Sequence, residues 1–230
     1  MAKTVDDTRK EGSGFTARRI ISLVFGILLG ISGINHGFFE AMQGYKPTNG
    51  VIVQAIGEAQ RMWPYGTEEA FTIVPNFLIT GILAMCSGFA VIVWSIRFIH
   101  KRNGTLILLM LFIVLFLVGG GIAQVLFFLP IWAYSTRINK PLQGWKRVLS
   151  GEGGKHLSLA WKYFLAICSL LFVVASEIAI AGFFPGITKK DTLLYICWSF
   201  LAVSWILMNV TFISGFAADI ANRERSDISI

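Results

Sequence analysis

The segment IISLVFGILLGISGINHGFFE, from Ile20 to Glu40, decides the fold that this sequence predicts. It is apolar over most of its length, and about 20 such residues in a helix are enough to cross a lipid bilayer. Its glycines recur on one helical face, at Gly26, Gly30, Gly33 and Gly37. Small residues let helix backbones approach closely in lipid. The pattern therefore predicts a seam that packs on another helix of the same chain, and the alternative is a homodimer face.

The composition of the whole chain extends this interpretation. Of its 230 residues, 55% are hydrophobic and 14% are charged, whereas soluble domains carry about 25% charged residues. Hydrophobic segments lie at about 20–40, 73–99, 105–134, 163–184 and 192–217. These runs predict an all-α integral membrane protein, a multi-pass helical bundle. The bundle is expected to occupy residues 20–218, between a cytoplasmic tail at 1–19 and a C-terminal tail at 219–230.

The net charge and the cysteines fit a membrane protein as well. A formal net charge of +7 is explained by cytoplasmic loops and by attraction to anionic lipid headgroups, so no nucleic-acid partner is expected. Cys86, Cys168 and Cys197 all lie inside apolar runs. They are expected to be small packing residues and not a disulfide framework or a metal site.

The second hydrophobic segment has a seam of its own. Small residues recur there at every fourth position, at Thr80, Ala84 and Gly88. Pro75 is expected in the first turn of this helix, where proline is tolerated. The preceding loop is rich in glycine and proline. Within that loop, residues 51–63 are predicted to form either a short helix in the membrane interface or an irregular connection.

The third hydrophobic segment, residues 105–134, is too long for one upright span and too short for two. As one helix its 30 residues would extend roughly 45 Å, and the hydrocarbon core is about 30 Å thick. The triplet Gly119, Gly120 and Gly121 lies at its middle, and each glycine weakens a helix by about 1 kcal/mol relative to alanine. The segment is therefore predicted to break at the triplet, as a kinked helix or as a re-entrant hairpin.

The distribution of Lys and Arg chooses between these topologies. If the third segment crosses the membrane once, the 20 basic side chains divide evenly between the two sides. If it turns back, 16 of the 20 fall on the side of the N-terminus. Because cytoplasmic loops carry the excess of Lys and Arg, the second arrangement is favoured. The prediction is four full spans plus a broken or re-entrant third segment in the plasma membrane, with both termini cytoplasmic, and the alternative is five ordinary spans.

A few polar residues lie in apolar segments, where they are costly. In the favoured topology His36, Glu40, Asn76 and Glu177 all fall in the outer half of the bilayer, which predicts one polar pocket that opens outward. The alternative is that His36 and Glu40 belong to a helix end and that Glu177 is a neutral acid. Gln124 and Asn209 are weaker candidates, which interhelical hydrogen bonds explain. No HExxH or paired-histidine spacing occurs, so neither a metal site nor a cofactor is predicted.

These features favour a small transporter or a solute-binding membrane component, because broken helices at membrane depth commonly line solute sites. One alternative is a membrane-embedded enzyme that acts on a lipid or another amphiphile, although no catalytic set is evident. Another is an assembly partner that binds a second membrane protein, or a second copy of this chain, through its glycine seams. The basic segment 137–162, with Trp145 and Trp161, is expected to contact anionic lipid headgroups.

Overall fold

The computed structural model describes residues 16–228, so most of the predicted N-terminal tail lies outside the described residues. The chain is mostly helical. Its helices are α1 (Ala17–Met42), α2 (Phe77–Arg97), α3 (Gly104–Leu117), α4 (Val125–Ser135), α5 (Gln143–Leu149), α6 (Glu152–Ala181) and α7 (Lys190–Ile228). Its strands are β1 (Ile52–Gln54), β2 (Glu69–Thr72) and β3 (Val118–Gly121). Single 3-10 turns lie at Glu58–Gln60 and Ile122–Gln124.

Four of the described helices, α1, α2, α6 and α7, are long and apolar enough to cross a membrane. The mostly helical architecture with several membrane-length helices agrees with the prediction from composition, whereas the three-stranded sheet departs from the predicted all-α class. Helices α6 and α7 are longer than their hydrophobic segments. Helix α6 begins within the basic region at Glu152, and α7 continues past residue 219, so the described part of the C-terminal tail is helical.

Helices α1 and α2 pack along the glycines of the first segment. A Cβ atom added to Gly37 would lie 2.5 Å from the carbonyl oxygen of Gly81, and one added to Gly30 would lie 2.7 Å from that of Gly88. Gly26 faces Ser95 in the same way. Gly33 instead packs against Leu115 of α3. The glycine face of α1 is thus filled by helices of its own chain, and Thr80 and Ala84 of α2 are fully buried beside it.

The third hydrophobic segment reverses direction at the glycine triplet. Helix α3 ends at Leu117, the next four residues form β3, and α4 begins at Val125. The rings of Phe112 and Phe128 stack with their centroids 5.2 Å apart, whereas a continuous helix would separate these residues by roughly 24 Å. The side-chain amide of Asn139 also donates to the carbonyl of His100 at 2.8 Å. The loops that precede α3 and follow α4 therefore lie at the same end of the bundle.

The loop between α1 and α2 contributes two strands to a small antiparallel sheet in the order β1-β2-β3. Ile52 pairs with Phe71, and Ala70 pairs with Gly121 of the glycine triplet. The interfacial helix considered for residues 51–63 is therefore wrong. The physical reason is that β3 has left the helical conformation and its backbone groups need partners, which β2 supplies, while β1 covers the other edge of β2.

Hydrogen bonds at the start of α2 fix the position of this helix next to the sheet. Pro75 lies before α2 and not inside its first turn, because Asn76 is the N-cap and its side chain accepts a hydrogen bond from the backbone N–H of Ile79. The Thr80 hydroxyl donates to the carbonyl oxygen of Val118 at 2.6 Å. Thr80 thus satisfies a backbone group that the break between α3 and α4 would otherwise leave without a partner.

At the opposite end of the bundle, a buried ion pair joins the first and last helices. Nε of Arg18 lies 2.6 Å from Oδ2 of Asp219, and the two side chains are 1% and 3% exposed. Arg18 also donates to the carbonyl oxygens of Arg137 and Lys140, which follow α4. The start of α1, the end of α4 and the end of α7 are thereby held together.

Candidate functional site

The glycine strand β3 lies directly against the polar end of α1. A Cβ atom at Gly121 would fall 2.5 Å from the imidazole of His36, and one at Gly119 would overlap the carboxylate of Glu40. Gly119 has a φ of 117°, a conformation that other residues rarely adopt. Position 119 therefore requires glycine for two reasons: its backbone conformation disfavours other residues, and the carboxylate of Glu40 occupies the space that a Cβ atom would take.

A carboxylate from the loop completes this arrangement. Oε2 of Glu68 lies 2.9 Å from Nε2 of His36, whose side chain is 5% exposed. Partial burial raises the pKa of Glu68, but the charge of His36 and their contact outweigh it, so the pKa of Glu68 lies below its usual range. Glu68 was not a sequence candidate, because a glutamate in a loop carries no signal until the fold brings it to a partner.

These residues border a cavity of about 190 Å³. It lies between α1 and the 3-10 turn after β3 on one side and α6 and α7 on the other, beneath the loop between α1 and α2. Aromatic side chains form much of its wall: Phe39, Trp63, Tyr65, Phe127, Phe172 and Trp198. Most of its polar groups belong to α1, to the loop between α1 and α2 and to the 3-10 turn after β3, and Ser176 lines it from α6: Ser32, Asn35, His36, Thr67, Glu68, Gln124 and Ser176. The cavity is therefore amphipathic, with an apolar body and one polar wall.

Hydrogen bonds hold the loop and the polar wall in place. The indole N–H of Trp63 donates to the carbonyl oxygen of Ala179 at 2.9 Å, and Trp63 is only 4% exposed. The hydroxyl of Tyr65 donates to Asp191 at 2.6 Å, and this contact raises the pKa of Tyr65 above its usual value. The amide of Gln124 donates to Ser32 at 2.8 Å. The loop is thus fastened to both α6 and α7 above the cavity.

The structure brings together only part of the predicted pocket. His36 and Glu40 meet at β3, but Asn76 caps α2. Glu177 is exposed on α6 and does not line the cavity, whereas its neighbour Ser176 does. The rotation of α6 about its own axis turns Glu177 away, and a shared depth in the membrane could not reveal that rotation. The pocket contains Glu68 where Glu177 was expected.

The remaining polar candidates have ordinary roles or join the cavity wall. Asn209 is exposed and donates to the carbonyl of Trp205 on its own helix, whereas Gln124 lines the cavity. Within residues 16–225, no group of three or more His, Cys, Asp or Glu side chains is arranged to hold a metal ion. Cys86, Cys168 and Cys197 are free thiols, and Cys197 borders the cavity.

Comparison with protein-family models, with curated proteins and with solved structures finds no match to this chain.

Proposed function

We propose that this protein is a small transporter or solute-binding component of the plasma membrane, and that its cavity binds a small amphiphilic solute from the outer side. The observation that carries the proposal is the amphipathic cavity of about 190 Å³ beside a broken membrane segment. A concave, mostly apolar cavity with a small number of polar groups is the usual form of a small-molecule site. Discontinuous helices at membrane depth commonly line solute sites in transporters.

The proposed orientation follows from charge. In the proposed topology α1, α2, α6 and α7 cross the membrane, while α3, β3 and α4 form a re-entrant hairpin. The hairpin then enters and leaves on the side to which the division of the sequence into segments assigns 16 of the 20 Lys and Arg residues. That side is cytoplasmic by the positive-inside rule, and both termini lie there. The cavity and the sheet then face outward, and the basic residues of α5 and early α6 contact anionic headgroups.

The charges along the wall suggest which amphiphiles enter. Among the described residues that line the cavity, none is lysine or arginine, and the half-exposed carboxylate of Glu68 is the acidic group. Six aromatic rings line the same cavity, and aromatic faces attract cations. We therefore expect amphiphiles with a neutral or cationic polar group to bind better than carboxylates of the same size.

Binding to the purified full-length protein in lipid nanodiscs tests the proposal. Trp63 and Trp198 line the cavity, so their fluorescence should change when a hydrophobic amine enters, and a matched carboxylate should cause a smaller change. Ser176→Trp places a large side chain on the cavity face of α6. Val173→Trp, on the exposed face of the same helix, is the matched control.

We expect Ser176→Trp to weaken binding about 10-fold or more, since overfilling a packed site costs about 1–3 kcal/mol, and Val173→Trp to leave binding unchanged. Unchanged affinity in Ser176→Trp, or no saturable binding of any amphiphile in the panel, would contradict the proposal. Uptake into liposomes then distinguishes transport from binding alone.

One observation favours a second candidate, an enzyme that acts on a membrane amphiphile. The His36–Glu68 contact of 2.9 Å at the cavity wall is a histidine oriented by a carboxylate, an arrangement that general bases use. It ranks second because no nucleophile lies in hydrogen-bond contact with His36 among the described side chains. Turnover of a bound amphiphile that is lost in both His36→Ala and Glu68→Gln would favour the enzyme.

A further inference from the structure

Glu40 is the most unusual titratable group in the described chain. Its side chain is completely buried, and neither carboxylate oxygen has a hydrogen-bond partner among the described residues. It lies two residues before the end of α1, where the carbonyl groups of the helix carry partial negative charge. An ionised carboxylate in this position has lost its hydration and faces an unfavourable field. A bound proton removes both costs.

The surrounding backbone makes room for the carboxyl group. Gly119 has no side chain, and the carboxyl group of Glu40 lies against its Cα. The φ of 117° at Gly119 turns the backbone of β3 so that this contact is possible. The break between α3 and α4 thus creates a compartment for one acidic side chain, separate from the cavity.

His36 and Glu68 connect this compartment to the cavity. Glu68 is 40% exposed and lies 2.9 Å from Nε2 of His36. His36 precedes Glu40 by one helical turn, so the two side chains are neighbours on the same face of α1. The second ring nitrogen of His36, Nδ1, is buried without a hydrogen-bond partner among the described residues. The three residues thus form a path from a partly exposed group, through an imidazole, to a fully buried acid.

We propose that Glu40 is a buried proton-binding site that is loaded from the cavity through Glu68 and His36. In the loading step His36 accepts a proton at Nε2 from the carboxylic acid of Glu68, and it releases the proton on Nδ1 to the carboxylate of Glu40. Glu68 becomes a carboxylate again and takes its next proton from water. At Nε2 an N–H bond forms as the O–H bond of Glu68 breaks, and at Nδ1 an N–H bond breaks as the O–H bond of Glu40 forms. His36 begins with its proton on Nδ1 and ends with it on Nε2, so the net change is one proton moved from water to Glu40 and a change of the imidazole tautomer, which must be reversed before a second proton can pass.

The other groups near the path are few. Tyr65 and Cys197 line the same cavity, on the loop and on α7, and β3 contributes only glycine backbone beside Glu40 and His36. Glu68 also serves as the acidic group of the cavity wall. A cationic solute that pairs with Glu68 therefore slows the first step, so occupation of the cavity slows the loading of Glu40. The protonated state of Glu40 at equilibrium requires no solute.

Infrared spectroscopy of the full-length protein in lipid nanodiscs tests the site without any solute. A protonated carboxyl group has a carbonyl stretch distinct from that of a carboxylate. We expect such a band in the wild type and its loss in Glu40→Gln. Glu177→Gln is the matched control, because Glu177 is an acid on the exposed face of α6, and it should leave the band in place. Glu40→Asp should shift the band and checks that its loss is not caused by unfolding.

The route is tested by the rate at which the band shifts after transfer to heavy water. We expect Glu68→Gln and His36→Phe to slow this exchange about 10-fold or more, and Glu69→Gln on the neighbouring exposed residue to leave it unchanged. A band that survives Glu40→Gln overturns the proton site. A band that develops only when sodium is withheld also overturns it, because sodium and not a proton would then be the ion that Glu40 binds. Unchanged exchange in both Glu68→Gln and His36→Phe overturns the route. Failure of amphiphile binding would leave these results as they are, so the two proposals are separable.

Discussion

The imidazole of His36 and the carboxylate of Glu68 lie 2.9 Å apart, and this contact ties the end of α1 to the loop that covers the cavity. One partner belongs to a membrane-length helix and is buried, whereas the other is 40% exposed on the loop between α1 and α2. Because β3 runs beneath both, the contact also holds the break in the third segment against α1. A single pair therefore links the loop, the broken segment and the first helix.

This contact predicts a dependence of stability on pH. Because the pKa of Glu68 is lower in the folded protein than in the unfolded chain, its contribution is fully present above the ordinary Glu pKa. The contribution is lost as the pH falls through the lowered pKa of the folded state. We expect Glu68→Gln to remove about 0.5 kcal/mol of stability at neutral pH, a small value because solvent screens a half-exposed pair. Thermal unfolding followed by tryptophan fluorescence at several acidic pH values measures it.

The neighbouring Glu69 provides the control for this experiment. It is exposed on β2 and pairs with Gln54 across the sheet. Glu69→Gln should retain the acid-dependent loss of stability that Glu68→Gln abolishes. If the stability of the wild type and that of Glu68→Gln depend on pH in the same way, the His36–Glu68 pair contributes nothing to the stability of the fold.

Gly119→Ala should destabilise the protein by about 2 kcal/mol or more, because the backbone conformation disfavours a side chain and its Cβ would meet the Glu40 carboxylate. Combining it with Glu40→Ala removes the collision but not the backbone strain, so the double variant should lose less than the sum of the single variants. The measurement is unfolding in detergent monitored by circular dichroism. Gly144→Ala, where no atom lies within 4 Å of the added Cβ, should be neutral or slightly stabilising.

The buried ion pair of Arg18 and Asp219 should respond differently to single and double substitution. Removing either partner leaves an unpaired buried charge, and Arg18→Leu or Asp219→Leu should each cost about 3–5 kcal/mol. The double variant should recover most of that loss. Glu224→Gln breaks the exposed contact with Lys146, which is 3.3 Å long, and should change stability by less than about 1 kcal/mol. Additive losses for Arg18 and Asp219 would mean that the pair is not coupled.

The proposed topology predicts which cysteines react in intact cells. In a background without Cys86, Cys168 and Cys197, a cysteine at the exposed Gln143 should react with an impermeant thiol reagent only after permeabilisation. Tyr45→Cys should react in intact cells, because Tyr45 is 77% exposed at the opposite end. Thr48, on the same loop, is only 9% exposed and therefore unsuitable for this experiment. Labelling of both sites from outside would contradict the re-entrant hairpin.

Helix α6 starts and helix α7 ends 11 residues outside the predicted segments, but the sequence by itself determined the apolar, multi-helical character of the chain, the extent of α1 and α2 within four residues, and the break at Gly119, Gly120 and Gly121. These features depend on local composition, on hydrophobic length and on the helical period, which need no knowledge of distant contacts. The neighbourhood of His36 and Glu40 was also predictable, because residues one turn apart on a helix must lie side by side.

Only the tertiary structure decided the rest of the site. The sheet joins a loop to β3 through backbone pairing, and the short strands carry no pattern that names their partners. Glu68 became a site residue, and Glu177 did not, because loop placement and the rotation of α6 set which side chains face the cavity. Asn76 is the N-cap of α2, because its side chain accepts a hydrogen bond from the backbone N–H of Ile79, which has no partner within the helix. The position of a side chain along a helix can be predicted from the sequence. The direction in which that side chain points around the helix axis depends on the elements that pack against the helix.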